Sequence, residues 1–180
     1  MLKLSLTACA AAICLMAAPK MAAATPAMTS NHAYCSAPAY RQFDFWLGDW
    51  DTYRIKDDKP GDVSVARNRV TSMLDGCALH EAYTRNDGYA GESYTSYDAS
   101  RKVWHQTWVS NQGELNVMEG TQQGDRIVLS GEVTDGQGVQ LQRVSWEPWQ
   151  GGVRETCEGS RDGGKTWTVL FDILFRKHQA

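Results

Sequence analysis

The chain has 180 residues, and removing a leader of 24 leaves 156, enough for one compact domain and too few for two. Hydrophobic residues make up 42% and charged residues 22%, which excludes disorder and low-complexity fibres. Without Lys3 and Lys20, 16 basic side chains face 21 acidic ones, a net charge of −5 that argues against a nucleic-acid or anionic-membrane partner.

Residues 1–24 read as a cleavable signal peptide. Lys3 precedes an apolar stretch from Leu4 to Ala18, and Ala22, Ala23 and Ala24 supply a small-residue cleavage signal. That stretch is too short for the roughly 20 residues of a membrane-spanning helix. No membrane span is therefore expected, and the predicted location is periplasmic or extracellular. Leu6-Thr7-Ala8-Cys9 has residue types suited to lipid attachment, but only a few apolar residues precede the cysteine, so secretion is the preferred reading. Residues 25–40 are rich in Ala, Ser and Pro and lack any period, which predicts a flexible linker or lid. Past the leader the cysteines are Cys35, Cys77 and Cys157, which allow one disulfide and one leftover thiol. Cys35 needs something to tie its segment down, so pairing with Cys77 is expected, and Cys157 reads as a small buried hydrophobe.

Residues 41–177 carry the domain. Phe43 to Leu47 reads as a helical turn that packs Phe43, Trp46 and Leu47 as a plug, with Trp50 beside it. Ten short alternating runs follow, at roughly 50–56, 63–74, 78–86, 90–98, 102–110, 114–120, 126–132, 139–147, 153–160 and 167–177. Turn residues such as Asn86-Asp87-Gly88 and Gln150-Gly151-Gly152 separate them. No helical crossover is available, so the strands must pair as an antiparallel up-and-down meander. Ten strands with two edges to hide predict an all-β, closed barrel, somewhat wider than eight strands and able to hold one small ligand.

Period-two alternation assigns faces. Trp104, Gln106 and Trp108 share one face of their run, and Leu79, Glu81 and Tyr83 share one of theirs. Such mixtures of aromatics and single polar groups suit a pocket wall, although each polar group could equally satisfy a neighbour in a filled barrel. Glu81, Arg143 and Asp172 each sit within a strand and are flanked by apolar residues. Pointing inward, they would have to pair. The functional version has Arg143 holding a ligand carboxylate while Trp104, Trp108 and Tyr83 cover its apolar body. The predicted ligand-binding set is Trp50, Glu81, Tyr83, Ser93, Trp104, Gln106, Trp108 and Arg143.

Other motifs read as structural. Ser160, Asp162, Gly164 and Trp167 fit the Asp-box hairpin pattern S-x-D-x-G-x-x-W, in which the Asp caps turn amides and the Trp packs under the turn. Propeller enzymes repeat this motif once per blade, and a single copy here marks a structural turn. Gly91-Glu92-Ser93-Tyr94-Thr95 falls one glycine short of a nucleophile elbow, and His80-Glu81 lacks the second histidine of a zinc helix. The spacing gives no metal-site signal and no phosphate cradle, so neither metal nor cofactor is expected.

Several segments together resemble a known family: Phe43-Asp44-Phe45-Trp46-Leu47-Gly48-Asp49-Trp50-Asp51, Asp75-Gly76-Cys77-Ala78-Leu79-His80-Glu81, Gly91-Glu92-Ser93 with Tyr97-Asp98, Trp104-His105-Gln106-Thr107-Trp108-Val109, the Asp-box segment, and Phe171-Asp172. In this order they resemble the DUF1579-type, calycin-like secreted bacterial proteins over residues 41–177. The resemblance implies a barrel like that of lipocalins or fatty-acid-binding proteins and implies little about activity. Nitrobindin-like haem barrels are a more distant likeness. Their Gly-x-Trp-x-Gly-x-Gly opening is replaced here by Leu47-Gly48-Asp49-Trp50-Asp51, which argues against haem at His178. The expected function is binding of a small apolar or amphipathic ligand. The alternatives are an enzyme with Glu81 or His105 as acid/base in the same cavity, or a non-catalytic partner-binding protein.

Overall fold

Alternating side chains broken by glycine and asparagine turns build a single antiparallel meander. The computed structural model describes residues 34–179, so the signal-peptide reading and His32 lie outside the described residues. The strands are β1 (Gly48–Lys56), a two-residue β2 (Lys59–Pro60), β3 (Ala66–Met73), β4 (Ala78–Arg85), β5 (Ala90–Asp98) and β6 (Val103–Ser110). They continue as β7 (Leu115–Gln123), β8 (Arg126–Asp135), β9 (Gly138–Trp149), β10 (Gly152–Ser160) and β11 (Thr168–Lys177). From β3 onward each strand bonds its neighbour in sequence, β1 pairs with β3, and β11 returns to pair with β1. Trp50 then stands opposite Lys177, and Arg54 opposite Ile173. The result is a closed ten-stranded barrel with β2 as a small hairpin appended to β1. Closure removes the edges that an open sheet would expose. The predicted all-β meander and its ten runs are present.

One end is stoppered by aromatics. Short 3-10 turns at Pro38–Arg41 and Asp44–Trp46 cross that end and drop Phe43 and Trp46 into the barrel, where both are fully buried. Phe43 stacks on Trp104 with ring centroids 5.4 Å apart and meets Trp146 edge-on at 5.3 Å. Trp46 packs against Trp146 and Phe175. Offset and edge-on ring contacts add to the area each ring buries. Two indoles also find acceptors. Trp50 Nε1 donates to the Trp46 carbonyl at 2.9 Å, and Trp104 Nε1 donates to Gln42 Oε1 at 2.9 Å.

The first 3-10 turn falls partly within the stretch predicted as a linker. Cys35 is joined to Cys77 across a sequence separation of 42, with a Cα–Cα distance of 5.1 Å. Arg41 donates to the Gly76 carbonyl, and Tyr40 meets Tyr97 edge-on at 5.3 Å. From Tyr34 onward the approach to the domain is therefore pinned against the closed end.

Replacing both Cys35 and Cys77 by Ser should lower the unfolding free energy by up to about 4 kcal/mol, the chain-entropy expectation for a loop of this length. Urea unfolding reads this as a lower midpoint with the native spectrum kept in buffer. An unchanged midpoint would mean the plug seats itself without the bridge.

Candidate functional site

The plug fills one end of the barrel and leaves the other open. Beyond it lies a cavity of about 400 Å³, within the size range of small-molecule sites. Met118 and Val144 are buried along one side of it, and Ile173, Phe171 and Leu170 supply an apolar wall from β11. Glu81, Gln106 and Glu155 bring polar groups to the same space. Arg54, Arg85 and Glu114 stand at the rim, where the strand ends opposite the plug meet solvent.

Tyr83, Tyr89 and Trp108 form an aromatic lip. Trp108 stacks with Tyr89 at 6.4 Å and meets Tyr83 edge-on at 6.2 Å. Gly91 makes room for it, since a Cβ there would lie 2.2 Å from the Trp108 ring. The Tyr89 hydroxyl donates to Glu114 at 2.6 Å, and the Arg85 guanidinium sits 4.8 Å above the Tyr89 ring while bonding Asp87.

The deepest charged groups are two carboxyls. Glu81 Oε1 accepts from Asn68 Nδ2 at 2.9 Å, and Oε2 accepts from Ser93 Oγ at 2.8 Å. Gln106 Nε2 bonds the Ser93 and Thr95 hydroxyls, so a chain of buried polar groups crosses from β3 to β6. Burial pushes the Glu81 carboxyl up to about 7, although the bonds from Ser93 and Asn68 and the nearby His80 work the other way. Glu155 enters from β10 and is raised well above the ordinary carboxyl value, first by burial and then by repulsion from Glu81. The Trp146 N–H offsets this slightly, though it completes no hydrogen bond of ordinary geometry. Like charges that face one another across a poorly solvated cavity favour retention of protons.

The structure divides the predicted ligand set. Glu81, Tyr83, Gln106 and Trp108 line the cavity, and Ser93 stands behind Glu81 as its donor. Trp50 and Trp104 do not line it. They belong to the plug packing, with Trp50 against Phe175 and Trp104 against Phe43. Arg143 is a correction: it alternates with Val144 and Trp146, which point inward, so it must point outward. There it bonds Glu158 at 2.7 Å and lies 4.2 Å over the Trp167 ring. Asp172 likewise faces outward and binds Arg154, at 2.9 Å to Nε. His105 lies outside the barrel, with Nδ1 3.0 Å from Glu119 and Nε2 3.0 Å from Thr107, and so cannot serve as a base within the cavity. His178 is bonded to Asp51 at 2.9 Å on the outside of the closed end.

The remaining motif residues are structural in their contacts. Asp162 Oδ2 accepts from the Thr166 hydroxyl at 2.7 Å and Oδ1 from the Thr166 amide, the Ser160 hydroxyl and the Lys165 amide, which holds its carboxyl down at about 2. Trp167 Nε1 donates to the Gly164 carbonyl at 3.0 Å. Cys157 is a buried free thiol, and burial beside Glu155 pushes it up to about 12, which disfavours the thiolate a nucleophile needs.

Sequence reading left out most of the cavity lining, and among the residues it missed, alternation points directly to Glu155 and Arg54. Val153, Glu155 and Cys157 share a face, and Val153 and Cys157 are buried. Arg54 shares its face with the buried Trp50 and Thr52. Compared with known proteins, the chain matches no protein-family model and no curated relative.

The raised carboxyls make stability depend on pH with a definite sign. Between the ordinary 4.5 and about 7 the folded state binds more protons than the unfolded chain. Stability is therefore fully present at the acid side of this window and falls as pH rises through it. Thermal unfolding should show Tm dropping across the window, and Glu155→Gln should flatten the drop and raise Tm on its alkaline side. Identical pH profiles for the two proteins would exclude the carboxyl pair as the cause.

Proposed function

We propose that this chain is an exported, calycin-like barrel of the DUF1579 type that binds a small amphipathic molecule inside the barrel. The observation that carries the reading is the cavity itself: a closed end, an open end, an apolar wall and a few convergent polar groups. The ligand's apolar body would lie along Trp108, Met118, Val144 and Ile173. Removing it from water contributes about 0.8 kcal/mol for each methylene buried. Its polar end would reach the layer of Glu81, Gln106 and Glu155. A buried and a half-buried carboxyl that repel one another destabilise the empty barrel, and such groups concentrate where a protein does work on a ligand.

A second reading has a specific observation behind it. A carboxyl held near neutrality in a solvent-reached cavity, as Glu81 is, can both give and take a proton. An enzyme using Glu81 as general acid/base would occupy the same space. It predicts turnover of a small ester, glycoside or amide that Glu81→Gln abolishes while the fold is kept. Saturable binding without turnover of any such compound favours the first reading.

Intrinsic tryptophan fluorescence should change saturably on titration with short-chain amphipathic probes. Trp108→Ala should weaken that binding about tenfold or more, since a ring contact of about 1.4 kcal/mol or greater is lost. Arg143→Ala should leave it unchanged. Equal loss in both variants would place the ligand outside the cavity.

A further inference from the structure

We propose that the deep end of the cavity is a site for a primary ammonium group, clasped between the carboxyls of Glu81 and Glu155 with Gln106 Oε1 as a third acceptor. This rests on the binding reading above and specifies the chemistry of the ligand's buried end.

Three observations converge on a cation with several N–H donors. The layer has more acceptors than donors. Glu81 presents two oxygens that each take one hydrogen bond, from Asn68 and from Ser93, and a carboxylate has room for about four. Gln106 is 6% exposed and lines the cavity, and its amide nitrogen is committed to Ser93 and Thr95. Its carbonyl oxygen is therefore the end left to the cavity, without a donor among the described residues. Behind these groups, Asn68 Oδ1 is a further buried acceptor without a donor among the described residues.

Charge points the same way. Glu81 is buried, Glu155 is half-buried against the same cavity, and the two repel one another; neither has an arginine or lysine within ion-pair distance among the described residues. Arg143, Arg154 and Arg67 spend their charge on the outer wall, on Glu158, Asp172 and Asp51 respectively. The other titratable or charged groups facing the pair are Arg54 on β1, Tyr83 and Arg85 on β4, and Cys157 on β10, with Tyr89 and Glu114 at the rim. Tyr83 and Cys157 are held up to about 12 and stay neutral. Arg85 is bound to Asp87. Arg54 lies one register position across Ile173 from Glu155, toward the open end. The deep end is therefore acidic and the rim is not, which orients a ligand amine-first with its apolar or neutral part outward.

An ammonium has three donors and one positive charge. On entering, it takes the place of a carboxyl proton, which leaves for the solvent, so the buried site gains no net charge. Binding is then linked to proton release and weakens as acid reprotonates the pair.

The test uses the full chain and three probes of equal length: hexylamine, hexanol and hexanoic acid. Calorimetry at about pH 8 should show the amine binding at least about tenfold tighter than the alcohol, a difference of about 1.4 kcal/mol. The heat of amine binding should vary with the ionisation enthalpy of the buffer, which reads proton release in the unaltered protein and needs no variant. Glu155→Gln and Glu81→Gln should each reduce the amine's preference to near that of the alcohol. Amine and alcohol binding alike, or the acid binding tightest, would overturn the ammonium site while leaving the binding barrel intact. No binding of any of the three would overturn both.

Discussion

Ten strands closed into a ring enclose more space than their own inward side chains can fill, and the fold depends on how that surplus is shared. Phe43 and Trp46 take up one end, buried against Trp104, Trp146 and Phe175. They enter only because the chain before β1 is folded back over the barrel mouth, and the Cys35–Cys77 bridge holds it there. What remains open lies entirely at the opposite end. Among the described residues, the aromatic stopper thus gives the cavity its floor and leaves the opposite rim as the approach for a ligand.

The layer between stopper and cavity is where the structure departs from a simple hydrocarbon core. Asn68, Glu81, Ser93, Thr95 and Gln106 are buried on consecutive strands β3 to β6, while β7, β8 and β9 offer Met118, Leu129 and Val144 at the matching depth. The barrel therefore has a polar half and an apolar half, with Glu155 on β10 facing the polar half across the cavity. Burial of a carboxyl is costly unless it is bonded or keeps its proton. Glu81 is bonded on both oxygens and pushed up to about 7, and Glu155, with fewer partners, is raised well above the ordinary carboxyl value. A filled apolar barrel of the same topology would be more stable. A two-sided interior with an open end suits an amphipathic guest.

Much of this was legible in the chain. Period-two runs and their turn residues located the strands, and the lack of any helical crossover dictated the meander and its closure. The Phe43-to-Leu47 turn was recognisable as a plug because its apolar side chains had no strand to join. Alternation also placed Glu81, Tyr83, Gln106 and Trp108 on inward faces. It failed where flanking residues were weighed instead of parity. Arg143 sits beside Val144 and looked buried, yet parity with the inward Val144 and Trp146 sends it to the outer wall. Glu155 and Arg54 were passed over although Val153, Cys157, Trp50 and Thr52 fix their parity. Depth along the barrel was the other hidden quantity. Trp104 and Trp108 share a face, but four residues of strand rise separate them by about 13 Å, so one meets the plug and the other the lip. No local pattern records which end of a strand is stoppered.

The proximity of Glu81 and Glu155 inside an open cavity underlies both the pH behaviour and the ligand chemistry. NMR titration of the glutamate carboxyl carbons, assigned by Glu81→Gln and Glu155→Gln, measures it directly. Glu81 should titrate near 7 rather than at the ordinary 4.5, and Glu155 should titrate above the ordinary value and shift down when Glu81 is replaced. Two independent titrations at the ordinary value, untouched by the partner's replacement, would contradict a buried, interacting carboxyl pair.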